Sequence, residues 1–410
     1  MAPFLLFIEQ FWEPTIRPLL IVALFLFWPL RLKMGKPLLP KGLTGWSIGF
    51  LLLWIPVTVW RSTNDALSWE IAGYLYLALV SFVTLYHWSW IGKRPEWLVV
   101  GLVGLGMVLA VVGPEVFSVD PDKMLDLYQT GETRYGAGPE VIAINPNILG
   151  AALTMIAALL LALLLQPSWA RRWWFTLPLW LPLLLIVNSL IISQSRSSWL
   201  ALAVATLFIL WLAGRRGLVV VIVALLLGGG LALWGSELLT LLPVGRLAQS
   251  AGDSLTRRMG IWRFSLELVA TNPLMGVGLG DYQQAFATRF PSLPLVGGRL
   301  APPHAHNLWL QVALDLGLPG LIAWGGLLVA LGRRLWYGLS NRRSPRYALR
   351  TGVSAALIVM AVIGCFDNAL WGTKLSFIPW SILALAHLTT ATYSSSSGRD
   401  GQGEMEKRNE

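Results

Sequence analysis

Two polar residues, His306 and Asn307, stand at the start of a long apolar segment, HNLWLQVALDLGLPG. A helix formed by this segment would hold His306 at its N-terminus, where the macrodipole disfavours the charged imidazolium. The ring should therefore stay neutral and able to accept a proton, which predicts a general base. His304 belongs to the preceding Pro302-Pro303 loop, and it is either a partner of His306 or simply exposed.

Arginine offers a second kind of chemistry, the binding of an anion. The segment SLTRRMGIWRFSLEL, residues 254–268, is typical of an amphipathic helix with Ser254 as its N-cap. Four residues at helical spacing share its inner face: Ile261, Trp262, Ser265 and Leu268. Such a helix would lie along the membrane surface and hold Arg258 beside the mouth of a helix bundle. Because a guanidinium can donate two parallel hydrogen bonds to phosphate oxygens, we predict an anionic ligand there.

Arg196 lies in SQSRSSWLALA, at the junction of two apolar segments, where the turn is too short to carry it far from the membrane. An ionisable residue at this depth either faces a functional site or extends its charge to the lipid headgroups. This segment alone favours neither interpretation. Three polar sites that converge on one membrane face favour the functional one.

Other arginines of the long loop have a simpler interpretation, since long loops cross the membrane largely regardless of charge. Solvated or headgroup-bound side chains are expected for Arg246, Arg263, Arg289 and Arg299. As candidate substrate-binding residues we nevertheless include Arg257, Arg263, His304, Asn307 and Asp315.

Composition indicates the fold class that must position these residues. The chain of 410 residues is 55% hydrophobic and only 13% charged, which is typical of a polytopic membrane protein. Its 22 tryptophans suit many membrane interfaces. The single cysteine, Cys365, excludes a disulfide framework within the chain. The formal charge of +10 does not point to nucleic acid in such a protein.

We predict an all-α bundle of about eleven or twelve spans, each near the ~20 residues that cross the hydrocarbon. The predicted spans are 17–31, 43–59, 69–91, 96–113, 148–166, 175–194, 198–213, 218–235, 307–332, 351–370 and 375–391. A large loop with short amphipathic helices should accompany them. No cleavable signal peptide is expected.

Lysine and arginine in the short loops predict the orientation. The segments 31–41, 93–94, 171–172, 215–216 and 333–350 are basic and fall consistently on one side, so we assign them to the cytoplasm. The predicted divisions are N-terminal spans 1–113, an acidic periplasmic loop 114–147, central spans 148–235, a large periplasmic loop 236–305, C-terminal spans 306–391 and a disordered cytoplasmic tail 392–410.

Three further patterns carry less weight. The glycine-rich stretch 276–280 follows no strand, so it predicts a tight turn between surface helices rather than a dinucleotide site, although its N–H groups could meet an anion. Asn145-Pro146-Asn147 predicts a turn and a helix start. No metal is predicted, because the His-x-His pair at 304–306 is a weak signal alone.

Four motifs in order resemble the O-antigen ligase and polymerase family of membrane glycosyltransferases. They are NPNxLG at 145–150, SQSR at 193–196, RxxxW followed by NPLMGVGLGDY at 258–282, and HNxxLQxxLDLGLPG at 306–320. The resemblance spans roughly residues 100–390. Asp315 stands where the family usually has glutamate, which leaves its role open.

This resemblance implies an inverting transfer, without metal or other cofactor, of a glycan from undecaprenyl pyrophosphate to an acceptor hydroxyl. The acceptor would be lipid A core, another glycan or another hydroxyl compound, so ligase and polymerase both remain open. By motif position, His306 would be the base, and Arg196 and Arg258 would hold the pyrophosphate. The implied location is the bacterial inner membrane, with the site on the periplasmic side.

The main alternative is a transporter, for example of inorganic carbon. Ion-coupled transporters usually have carboxylates or broken helices near the midplane. The nearest carboxylates are Asp315 and Asp367, both expected in the outer half. A noncatalytic scaffold would leave Arg196, Arg258 and His306 without a purpose.

Overall fold

The computed structural model is all-α in the residues that it describes, as the composition predicts. Those residues are 33–35, 37–116, 146–165, 173–193, 195–214, 219, 222–223, 243–290, 302–368 and 370–390. Their main helices are, in chain order, α1 (Leu43–Arg61), α2 (Asp65–His87), α3 (Ser89–Lys93), α4 (Glu96–Val116), α5 (Pro146–Leu165), α6 (Trp173–Ser193), α7 (Arg196–Leu212), α8 (Pro243–Thr271), α9 (Tyr282–Arg289), α10 (Leu308–Leu339), α11 (Tyr347–Gly364) and α12 (Phe377–Thr390).

Nine predicted spans lie within these residues, and each corresponds to a helix. Among the described residues, α1, α2, α4, α5, α10 and α11 are long and apolar enough to cross a membrane, and α6, α7 and α12 contain shorter apolar helices. Helix α10 continues to Leu339, whereas α11 stops at Gly364, before the predicted end at 370. The predicted spans 17–31 and 218–235 lie outside the described residues, apart from 219, 222 and 223.

Helix α5 is the most buried of the six candidate membrane-spanning helices in the described residues. Within its apolar stretch 83% of the residues are buried, against 44% in α1. It packs against α4, α6, α7, α11 and α12. Small residues allow these close approaches. A Cβ atom on Gly352 of α11 would lie only 3.2 Å from Leu159 and from Ala162 of α5. The start of α5, which the Asn-Pro-Asn motif predicts, is therefore fixed among its neighbours.

The basic loops of the described chain gather at one end of the bundle. Arg346 donates to the backbone oxygen of Lys93 at 3.3 Å. Arg350, near the start of α11, donates to the oxygens of Gly338 and Thr389, both at 3.0 Å. Helix α10 begins, and α11 ends, at the opposite end. His306 therefore lies far from the basic loops.

Helix α10 is interrupted, whereas the apolar pattern predicts a continuous span. Gly317 has φ 69° and ψ −179°, which breaks the helical backbone. The glycine-rich turn between α8 and α9 fits into this break: Val277 N donates to Leu314 O, and Leu318 N donates to Pro273 O, both at 2.8 Å. The predicted tight turn is thus confirmed, and it fastens α8 to α10.

Asp281 fastens the same turn to a third element, the connection between α1 and α2. Its buried carboxylate accepts hydrogen bonds from Ser62 Oγ at 2.6 Å, from Thr63 N and Oγ1 at 2.6 and 2.9 Å, and from Asn64 N at 3.2 Å. Ser68 Oγ also donates to Leu279 O at 2.5 Å. The sequence analysis did not identify Asp281, because its partners lie more than two hundred residues away.

Replacing Asp281 with alanine should destabilise the protein without touching the polar cluster around His306. The donors of residues 62–64 would lose a charged acceptor in a buried site, so we expect a loss of about 2–4 kcal/mol. Thermal unfolding in detergent would show this as a lower Tm. Asp65→Ala is the matched control, because Asp65 is exposed in the first turn of α2. Equal Tm values for the two variants would contradict the anchoring role.

Candidate active site

Asn307 begins α10 and joins it to the end of α11. Its Oδ1 accepts a hydrogen bond from Leu310 N at 3.1 Å, which is the geometry of an N-cap. Its Nδ2 donates to the backbone oxygen of Cys365 at 3.2 Å. The predicted helix start is confirmed. These contacts indicate a structural role for Asn307, which holds the neighbouring His306 in place.

His306 has an unusual backbone conformation, with φ 47°. Residues other than glycine rarely adopt this left-handed region, although histidine does so more often than most. Its carbonyl oxygen accepts a hydrogen bond from Trp262 Nε1 and its N–H donates to His304 Nδ1, both at 3.2 Å. Such conformations cluster at functional sites, where the surroundings hold them against the strain.

Asp367 is the acidic member of the site, and the sequence analysis placed no function on it. It lies in the loop between α11 and α12 and is only 4% exposed. Its Oδ1 is 3.8 Å from Nδ1 of His304 and 3.8 Å from Nδ1 of His306. Its Oδ2 accepts from Asn147 Nδ2 at 2.9 Å. The only local signal was an acid next to an asparagine at the end of an apolar helix.

The charges in this cluster stabilise an ionised Asp367. Burial alone would raise the pKa of Asp367, but interactions with His306 and His304 and the N–H of Asn368 outweigh it and hold the pKa well below its usual range. The pKa of His304 is lowered to about 4, chiefly by burial; His306 and Arg258 lower it further, while Asp367 opposes them. His304 is therefore neutral near pH 7 and can accept the His306 N–H at Nδ1.

Helix α8 brings Arg258 towards this cluster. Arg258 and Trp262 are four residues apart and share one face of the helix, and Trp262 contacts His306 directly. The charge of Arg258 also influences His304. The predicted inner face is confirmed, because Ser265 and Leu268 are buried and Ser265 Oγ lies 3.0 Å from Tyr282 OH.

Other predicted features of the long loop require correction. Ser254 is not an N-cap, because α8 begins at Pro243 and continues through it; at 29 residues the helix is not short. The segment AQSAGD therefore remains helical despite its cap-like residues.

The remaining arginines are distributed differently. Arg257 and Arg263 are exposed, and the helical rotation turns Arg263 away from the face that carries Arg258. Arg289 is exposed and forms an ion pair with Glu267 at 2.8 Å, as the solvated interpretation predicts. The side chain of Arg246 and all of Arg299 lie outside the described residues.

Arg196 begins α7 at the same end of the bundle as His306, one helix away. Helix α7 packs closely on α5 there, since a Cβ atom on Gly150 would lie 2.7 Å from Ser198 Oγ and 2.9 Å from Ser195 Cβ. One turn earlier on α5 is Asn147, which binds Asp367. Arg196 is exposed. The structure thus relates Arg196 to His306 through α5 rather than by contact.

Asp315 lies two turns inside α10 rather than in the histidine cluster. Its buried oxygens accept from Gln311 Nε2 and Trp371 Nε1, each at 3.0 Å. Gln311 Oε1 in turn accepts from Ala305 N at 2.9 Å. These contacts connect Asp315 to the loop that carries His304 and His306. A substrate contact of Asp315 stays a prediction.

The cluster also has ligand types suited to a metal ion. Potential ligand atoms of His304, His306 and Asp367 lie within 4.8 Å of one another. Two of these residues already accept hydrogen bonds there, His304 at Nδ1 and Asp367 at both oxygens. A hydrogen-bonded acid–base group accounts for these contacts more directly than a cation site does.

Fold and site together define an integral membrane protein with a histidine–carboxylate cluster and an arginine-bearing helix at one end of its bundle. The O-antigen ligase family model matches residues 181–325, about a third of the chain. This match, with the motifs above, supports the resemblance to the O-antigen ligase and polymerase family. The matched segment includes Arg196, Arg258 and His306 but neither Asn147 nor Asp367. No curated protein matches the chain.

Proposed function

We propose that this protein transfers a glycan from undecaprenyl pyrophosphate to an acceptor hydroxyl, with inversion at the anomeric carbon. The match to the O-antigen ligase family model supports a membrane glycosyltransferase of the ligase or polymerase type. The observation that carries the finer proposal is the strained His306, held between the indole of Trp262 and the buried carboxylate of Asp367. An imidazole held in this way suits general-base catalysis.

In the proposed reaction, Nε2 of His306 takes the proton of the acceptor hydroxyl while its oxygen attacks the anomeric carbon. The bond from that carbon to the pyrophosphate oxygen breaks, and the pyrophosphate leaves with the electron pair. Arg258 would stabilise the developing negative charge from α8, and Arg196 would do so from α7. Nδ1 of His306 faces Asp367, so Nε2 is the nitrogen available for the acceptor.

The proposed location is the inner membrane of a bacterium, with the site on the periplasmic side. The support is the charge distribution: basic loops gather at the opposite end from His306, and such loops stay in the cytoplasm. A donor with a lipid tail would enter sideways between helices. The acceptor would be lipid A core or a growing glycan.

A transporter has less support than transferase activity. Asp315 is the buried carboxylate within a candidate span that could bind a coupling ion, but Gln311 and Trp371 already occupy its oxygens. We also propose that transfer needs no metal. Full activity of purified protein in EDTA would support this, and restoration by a divalent cation would contradict it.

The direct test is transfer by purified protein in nanodiscs from an undecaprenyl-pyrophosphate oligosaccharide to its acceptor. Arg258→Ala should lower kcat/KM by about 100-fold, since it removes a charge from the leaving group. Arg263→Ala is the matched control, being an exposed arginine on the opposite side of the same helix, and should stay within about threefold. Equal losses in both variants would contradict a specific phosphate contact. A wild type without transfer from any such donor would overturn the proposed function.

A further inference from the structure

Asp367 is a buried acid that the proposed reaction does not use directly. We propose that Asp367 is a positioning residue for His306: its carboxylate keeps the proton on Nδ1 and thereby presents the lone pair of Nε2 to the acceptor hydroxyl. This inference rests on the proposed function. It adds a fourth residue to the three of the proposed reaction, contributed by the loop between α11 and α12, outside the segment that matches the family model.

The carboxylate is held on two sides. Oδ2 accepts from Asn147 Nδ2 at 2.9 Å, and Oδ1 accepts from the N–H of Asn368 at 2.8 Å. An ionised carboxylate oxygen can accept a second hydrogen bond. Oδ1 therefore retains an acceptor site, and it is this atom that lies 3.8 Å from the His306 ring.

The ring nitrogen that faces Asp367 needs a partner. Nδ1 of His306 is buried and makes no hydrogen bond with any described residue. A separation of 3.8 Å is too long for a hydrogen bond, but a shift of about 1 Å would bring it into range. Catalytic hydrogen bonds are often long without substrate and tighten in the reactive complex. The pair is thus placed to close when substrate binds.

His304 is less suited to be the partner of Asp367. Its Nδ1 accepts the backbone N–H of His306, so that nitrogen carries no proton to donate. Two ionisable groups of the described chain lie beside the His306 ring: Asp367 from its loop and His304 from the preceding residues. Arg258 of α8 acts on His304. Asn147 faces the carboxylate from α5 and is uncharged. Asp367 is the anion among these groups.

Asp367→Asn tests the inference, since it keeps the size of the side chain and removes its charge. We expect kcat to fall by about 10- to 100-fold with KM nearly unchanged, because the ring loses its orientation but not its proton-accepting atom. Asp367→Glu keeps the charge and should recover part of the rate.

Cys365→Ala is the matched control from the same loop, because this exposed residue uses its backbone oxygen for Asn307. It should leave kcat and KM unchanged. A fall in kcat for Asp367→Asn without recovery in Asp367→Glu, or accompanied by an equal rise in KM, would overturn the positioning role. So would restoration of Asp367→Asn by a divalent cation. Retained transfer in a His306 variant would instead overturn the proposed base, whatever Asp367 does.

Discussion

His306→Asn is expected to lower kcat for glycan transfer by at least about 1,000-fold while the protein remains folded. General-base catalysis contributes about 10²- to 10⁴-fold, and asparagine has no atom that can take the proton at neutral pH. Asparagine also tolerates the left-handed backbone better than alanine does, which matters at φ 47°. Transfer by purified protein in nanodiscs measures kcat, and thermal unfolding verifies the fold.

Two further variants separate chemistry from folding. His306→Ala should lose transfer to the same degree but with a lower Tm, because alanine is more strained at this backbone position. His304→Asn removes the imidazole but keeps an acceptor for the His306 N–H in its Oδ1, so it should cost no more than about tenfold. Binding of the lipid-linked donor should persist in all three variants. Transfer retained by His306→Asn would exclude His306 as the base.

Gly317→Ala is expected to destabilise the fold strongly. The residue has φ 69°, and a Cβ atom would overlap the backbone oxygen of Leu274. Because a backbone atom cannot move aside as a flexible side chain does, we expect a loss of at least about 3 kcal/mol. Yield of folded protein and the Tm in detergent would both fall.

Gly325→Ala on the same helix is the matched control. A Cβ atom there meets nothing within 4 Å, so the greater helix propensity of alanine should leave the Tm unchanged or slightly raised. Gly276→Ala should reproduce the effect of Gly317→Ala, since its Cβ atom would overlap the oxygen of Leu314 across the same contact. A normal Tm for Gly317→Ala would mean that the turn and the helix break are not interlocked.

Local sequence patterns predicted those parts of the molecule that local forces determine. Apolar length predicted nine helices, side-chain spacing predicted the inner face of α8, and the polar residues before an apolar run predicted the start of α10. The break at Gly317 was missed because a run of apolar residues continues through it, although Gly-Leu-Pro-Gly was an available signal.

Long-range pairing accounts for what the sequence could not predict. Asp281 meets the α1–α2 connection, and Asp367 meets Asn147, only after the chain has folded. No periodicity links such residues, since each pair depends on how whole helices pack. Residues that are close in sequence can also be separated in the fold. Arg263 is close to Arg258 in sequence, yet the helical rotation separates their side chains.

The bond between Asn147 and Asp367 joins residues 220 positions apart, and this spacing sets a time order for biogenesis. Helix α5 enters the membrane early in synthesis, whereas Asp367 emerges from the ribosome only after α11. A nascent chain that already carries His306 and Arg258 thus lacks the carboxylate that completes their surroundings. Under the proposed function, the group that positions His306 is therefore complete only once the last helices have been synthesised.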